Sequence, residues 1–217
     1  MKKFRKLILK YIKRGFRFII VAGGGKICRV YQKAATKITK VSYEDMDWLG
    51  IHATRLNAHL LRTIFRKIAY PVILDSPEKP IKNNWTPTLP PPSQPSAGPQ
   101  LLIAAGWRPG WSTDYISALL AKRFKIKEII DAGNIPFVYN KDFLKYKNTF
   151  AIKRISWKNY RKLIGSRWIP GLAAPIDPIA AKLAQKLKIR ALIIKSTELK
   201  NLERVILGKN FRGTIIG

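Results

Sequence analysis

The chain has 217 residues, 47% of them apolar, and carries 42 Lys and Arg against 12 Asp and Glu, a formal net charge of +30. That apolar share excludes a disordered polymer and suffices for one core, while the single cysteine, Cys28, excludes an internal disulfide or a cysteine-cluster metal site. No apolar run approaches the roughly 18 residues of a membrane span, and sparse cysteine points to a reducing, cytoplasmic compartment.

Taken in chain order, Phe4, Leu7, Ile8, Tyr11 and Ile12 recur at helical spacing and Gly15 stands where a helix stops, predicting a helix over 2–14. The helix reads as packed on the domain, with attachment to a membrane surface as the lesser alternative. A strand over 16–21 then runs into Gly23, Gly24 and Gly25 and a helix of about 26–36 whose Ile27, Val30, Tyr31 and Ala34 form a stripe. Two readings of the triplet stand side by side. Bare backbone amides at a helix's positive end admit an anion such as a nucleotide phosphate. Equally, a tight strand-to-helix turn asks for positive φ.

A helix follows over about 46–67, carrying both histidines, His52 and His59, which read as packed or surface side chains and not as ligands. The apolar strand "YPVIL" comes next. Residues 76–100 hold eight of the fourteen prolines and read as a loop or linker within one domain spanning 1–217. Beyond it the pattern predicts a strand over 101–105, a helix from 114, a strand over 127–131, helices near 157 and 178, a strand over 190–195, a helix near 199 and a last strand in "GTIIG". Such alternation predicts an α/β fold with a mainly parallel sheet sandwiched between helices, and ligands at the carboxyl ends of its strands.

The positive charge attracts polyanions, with RNA or DNA as the obvious partner. Thirteen of the basic residues fall in the first 40 with no carboxylate among them, yet lysines recur in every later helix without an arginine-rich tract or nucleic-acid signature. The charge therefore predicts contact with anions without selecting one, and nucleic acid is possible but not favoured. In so basic a chain the carboxylates stand out. Asp47, Asp114, Asp142 and Asp177 each sit at a turn or helix start where a sheet of this class presents its ligands. Asp114 and Asp177 read equally as first-turn acids of their helices.

Together "VAGGGKICR", "DWLGIHATRLNA", "GWRPGWSTD", "NIPFVYNKD", "IDPIAAK" and "GTIIG" resemble the amino-acid kinase superfamily and, within it, the uridylate kinases of the archaeal-type branch. The likeness covers nearly the whole chain from about residue 5, the proline-rich stretch apart. It implies transfer of the γ-phosphoryl group of ATP, carried with Mg2+, to UMP, and assembly of copies into a hexamer. It implies further that Gly24 lies beside UMP, Gly25 beside ATP and Arg29 on the ATP phosphates, with Lys26 neutralising charge in catalysis. Asp47 inherits contact with the UMP ribose and Gly50 a close approach. The acceptor loop, Trp107, Arg108, Pro109, Gly110, Trp111, Ser112 and Thr113, wraps UMP. Gly133, Asn134, Tyr139 and Asp142 hold adenine and ribose. Asp114 and Asp177 orient basic groups and the magnesium-bound nucleotide, and the resemblance implies no resident metal. Departures accompany the matches. The family's first strand and Gly-Gly-Ser loop are not in this sequence, so an N-terminally truncated fold is expected. Trp107, Arg108 and Trp111 alter the acceptor loop, Gly133 replaces a threonine, and Phe143 replaces a proline. A fold that binds nucleotide or a partner without turnover, and an RNA-binding protein, are the alternatives.

Overall fold

The first helix, α1 (Lys2–Ile12), buries Ile8 and Tyr11, and Phe4 meets Phe65 edge to face. Its apolar face packs on the core, as the spacing predicts. Gly15 adopts φ +88 and ends the turn, with its amide on the Ile12 carbonyl. The computed structural model describes residues 1–81, 98–141, 148–166 and 174–217. They form two compact units, Met1–Leu120 and Ala121–Gly217. Most of the proline-rich stretch, together with Asp142 and Phe143, lies outside the described residues.

In unit 1, β1 (Phe18–Val21) pairs in parallel with β2 (Leu101–Ala104), Phe18 opposite Leu101 and Val21 opposite Ala104. Every residue of β2 is buried. Between the strands come α2 (Gly25–Ile38) and α3 (Tyr43–Ile64). α3 starts earlier than hydrophobic spacing predicts, because the Ser42 hydroxyl accepts the Asp45 amide at 3.0 Å and caps it. The expected strand in "YPVIL" is corrected: only Ala69 and Leu74 bridge to β2, since Pro71 has no N–H to continue a ladder. α4 (Thr113–Arg123) contains the division between the units.

In unit 2, β3 (Glu128–Gly133), β4 (Val138–Tyr139), β5 (Ala151–Ile152), β6 (Arg154–Ile155), α5 (Trp157–Ile164), α6 (Pro178–Lys186), β7 (Arg190–Lys195), α7 (Leu199–Ile206) and β8 (Thr214–Ile216) follow in order. The sheet runs β3-β7-β8-β6, with β3–β7 and β6–β8 parallel. β8 is antiparallel to β7, since α7 and the loop after it bring Thr214 back opposite Ile193. β4 and β5 form a separate antiparallel pair. Buried Ala191, Leu192, Ile193 and Ile194 make β7 the centre of this unit's core. Trp157 donates its indole N–H to the Ile189 carbonyl at 2.8 Å, fixing α5 against the start of β7.

Candidate functional site

β1 and β2 are parallel, so their carboxyl ends deliver two loops to one edge of unit 1: Ala22 to Gly24 after β1, and Ala105 to Ser112 after β2. The Ala22 amide on the Ala104 carbonyl, 2.9 Å, keeps the pairing to that edge. α3 holds both loops. Asp47, Gly50, Thr54 and Asn57 are spaced three, four and three residues apart, which places them on one helix face.

Asn57 Nδ2 donates to the carbonyls of Gly23 at 2.8 Å and Gly24 at 3.2 Å, fixing those peptide planes. The first intrahelical bond of α2 runs from the Cys28 amide to the Gly24 carbonyl. The amides of Gly24, Gly25, Lys26 and Ile27 therefore have no partner within the helix and form a positive end suited to phosphate. The turn reading of the triplet is met at Gly25, and packing adds a demand at Gly24. Gly25 has φ +62, the left-handed turn. At Gly24 a Cβ would lie 2.7 Å from Cys28 Cβ, so this glycine is required by packing. Gly23 has open space where a side chain would stand. Lys26 and Arg29 are exposed on the first turns of α2. Burial raises the Cys28 thiol above its ordinary range, opposed by Arg29 and reinforced by Asp47, which keeps it a neutral packing group. The side-chain position of Gly50 faces Cys28 and Gln32 at 3.5 and 3.7 Å, ordinary contacts, so packing of α2 on α3 does not demand this glycine.

The second loop is pinned at three points. Thr54 Oγ1 accepts the Gly106 amide at 2.8 Å, Arg55 donates to the Trp107 carbonyl at 3.0 Å, and Asp47 Oδ2 accepts the Gly110 amide at 2.7 Å. Arg108 to Trp111 make a turn closed by the Trp111 amide on the Arg108 carbonyl, with Pro109 in second place and Gly110 at φ +79 in third. Burial raises the Asp47 carboxyl, while the Gly110 amide pulls it back. Above the turn the Arg108 guanidinium sits 4.0 Å from the Trp111 ring centroid and 4.6 Å from that of Trp107. Trp111 also meets Tyr115 edge to face at 4.7 Å. Ser112 caps α4 through its hydroxyl, 3.0 Å from the Tyr115 amide, and Thr113 and Asp114 occupy the first turn.

Unit 2 presents its own strand ends. Gly133 and Lys195 are register partners closing β3 and β7, and the Ser196 amide donates to the Gly133 carbonyl at 2.8 Å. Asn134 is exposed just beyond, and Tyr139 lies on β4 beside Phe137. A Cβ on Gly133 would make ordinary contact with Asp131 at 3.8 Å, so packing does not demand a glycine there. Asp142 lies outside the described residues.

Asp177 is 6% exposed and caps α6, its Oδ1 accepting the amides of Ile179 at 2.8 Å and Ala180 at 3.0 Å ahead of Pro178. The first-turn reading of this acid is what the geometry displays. Replacing Asp177 by alanine is expected to cost about 1–2 kcal/mol, and by serine much less, measured by urea unfolding.

Burial pushes the Asp131 carboxyl up to about 7. Its folded form therefore keeps a proton that the unfolded chain loses near pH 4, so its contribution to stability is full at low pH and is lost as pH rises to about 7. Between pH 5 and 8 the wild-type melting temperature is expected to fall by roughly 5 °C more than that of Asp131→Asn, read by thermal unfolding.

Thr54, Arg55 and Asn57 were not singled out by sequence; their signal is the polar stripe they share with Asp47 on α3. Among the described residues no group of three His, Cys, Asp or Glu is placed to hold a metal ion, and no helix is long and apolar enough to cross a membrane.

Known proteins share this architecture. The family model of the amino acid kinase family matches residues 1–195. The uridylate kinase of Hyperthermus butylicus is 28% identical over the whole of this chain and 90% of its own length. That of Thermococcus sibiricus is 30% identical over 96% of this chain and 87% of its own. The crystal structure of the uridylate kinase from Archaeoglobus fulgidus superposes with a TM-score of 0.76 at 26% identity, covering 99% of this chain and 90% of that one. The UMP kinase of Bacillus anthracis, at 20% identity and a TM-score of 0.71, shares the fold. With the glycine turn, the α3 face and the loop after β2 assembled as described, the chain belongs to the amino acid kinase family.

Proposed function

We propose that the protein is a uridylate kinase, transferring the γ-phosphoryl group of ATP to UMP to give UDP and ADP. The observation that carries this reading is the α3 face. It fixes a phosphate-ready helix terminus through Asn57 and an acceptor loop through Asp47 and Thr54, all in one unit. Relatives named uridylate kinase that align along nearly the whole chain support it.

UMP takes Asp47 at its ribose, the loop Trp107 to Thr113 around its base, and Gly24 beside its phosphate. Gly25, Lys26 and Arg29 take the ATP phosphates, while Gly133, Asn134, Tyr139 and Asp142 take adenine and ribose. Mg2+ enters on the phosphates of ATP. A UMP phosphate oxygen attacks the γ-phosphorus in line, the bond to the β-phosphate oxygen breaks, and ADP leaves. The UMP phosphate is largely ionised near neutral pH, so no protein base or nucleophile is required. The chain's part is positioning and neutralisation of charge, through backbone amides, Lys26 and Arg29. Asp114 and Asp177 act by setting the first turns of α4 and α6. Exposed Val30, Tyr31 and Ile38 on α2 support assembly with further copies of the chain, and the site of action is the cytoplasm.

A coupled assay of ADP release, with ATP, Mg2+ and each nucleoside monophosphate in turn, tests the reading. Turnover with UMP at least tenfold above every other monophosphate is expected. No turnover with any of them would leave a nucleotide-binding relative without activity.

A further inference from the structure

Unit 2 carries a cleft lined by none of the residues assigned above to UMP or ATP, Phe137 on its wall being the one that meets such a residue, Tyr139, edge to face. It measures about 870 Å3. Its floor is Leu192 of β7 and Ile215 of β8, which are register partners, and one wall is α7. The other is the loop Gly208 to Gly213, held in place by α7. Asn201 Nδ2 donates to the Arg212 carbonyl at 2.7 Å, and the Arg212 amide donates to Asn201 Oδ1 at 2.8 Å. Arg204 Nε donates to the Asn210 carbonyl. The cleft also takes in Glu128 and Arg190, which open β3 and β7. Gly133 closes β3 five residues later, about 17 Å away at the rise of a strand.

Charge and aromatic character converge there. Among the described residues Glu128 is the one carboxylate lining it and is paired with Arg190 at 2.8 Å, while Arg212 is paired with Glu198 at 2.5 Å. Lys153, Arg154 and Lys209 also line it, are exposed, and have no carboxylate partner among the described residues. Phe137 and Phe211 supply ring surface, and the Arg212 guanidinium stands 5.5 Å from the Phe137 centroid. Phe211 lies against Gly213, where a Cβ would come within 2.7 Å of its ring, so the ring's position is set by the fold.

Unpaired cations along an open cleft, interleaved with aromatic faces, are the arrangement that tracks a phosphate backbone while unpaired bases rest on rings. A volume near the upper end of small-ligand pockets leaves room for more than one nucleotide. The charge of +30 draws polyanions to the whole molecule. We propose that this cleft binds single-stranded nucleic acid, with Lys153, Arg154 and Lys209 on successive phosphates and Phe137 and Phe211 against bases. The inference goes beyond the kinase reading and holds whether or not UMP is phosphorylated.

Fluorescence anisotropy of a labelled ten-nucleotide single-stranded RNA, titrated with the full chain across a range of KCl, tests it. The triple variant Lys153→Gln, Arg154→Gln, Lys209→Gln is expected to bind about tenfold or more weakly near 0.1 M salt. The slope of log affinity against log salt should shrink by about 2, at about 0.7 per lost phosphate contact. A matched triple on α1, Lys2→Gln, Lys3→Gln and Lys6→Gln, should lose less than about threefold. Equal losses in both triples, an unchanged slope, or displacement of the RNA by free UTP at equal nucleotide concentration would overturn the proposal. Photocrosslinking of 4-thiouridine RNA to the wild-type chain is independent of variant folding. Crosslinks in peptides containing Phe137 or Phe211 are expected, and crosslinks confined to residues 1–40 would overturn it.

Discussion

Asp47→Ala is expected to lower kcat/KM for UMP by at least about a hundredfold while leaving the KM for ATP within about threefold. The carboxylate makes a charge-assisted hydrogen bond of 2.7 Å to the Gly110 amide, and its second oxygen is the group proposed for the UMP ribose. A hydrogen bond to a charged group contributes about 1.5–3 kcal/mol, so the lost ribose contact alone is about a tenfold to hundredfold effect, and a loop no longer held at Gly110 must be ordered by UMP itself, which carries the total above a hundred. Asp47→Asn keeps an acceptor for Gly110 and should fall between, about tenfold down. Steady-state kinetics with each substrate varied in turn reads both effects. If Asp47→Ala raised the ATP KM as much as the UMP KM, the assignment of this face to the acceptor would be wrong.

Gly24→Ala is expected to reduce both stability and activity, because its Cβ would lie 2.7 Å from Cys28 Cβ, a contact folded chains do not tolerate. Overpacking of this kind costs about 1–3 kcal/mol, or roughly 2–12 °C in melting temperature at about 2–4 °C per kcal/mol for a chain of this length. The displaced first turn of α2 would carry the amides of Gly25 and Lys26 out of line, and kcat should drop more than about tenfold. Cys28→Gly removes the other half of the clash. Measured against Cys28→Gly alone, which itself weakens α2 by about 1 kcal/mol, adding Gly24→Ala should then cost little stability. A Gly24→Ala protein as stable as wild type would show that packing does not demand this glycine.

Much of this was legible in the chain. Apolar spacing located α1, and Gly15 its end; the strands at 101, 128 and 190 and the closing "GTIIG" also fall where alternation predicts them. What escaped has a physical cause in each case. Ser42 moved the start of α3 by capping, which apolar periodicity does not register. Pro71 reduced an apolar run to two bridges, since the missing N–H outweighed β-propensity. Asn57 and Thr54 act through backbone groups of loops 33 and 52 residues away, a pairing visible only once β1 and β2 lie side by side. Asp177 was seen as a prominent acid, and its geometry is that of a cap.

The central claim is that one face of α3 shapes two strand-end loops into a seat for UMP. Isothermal titration of UMP into the wild-type chain and into Asn57→Ala tests it most directly, since Asn57 is placed against the glycine carbonyls. The account predicts a single site with Kd between about 1 μM and 1 mM, the range of ordinary enzyme substrates, weakened at least about tenfold in the variant. Binding of UMP with the same affinity to both proteins would contradict it.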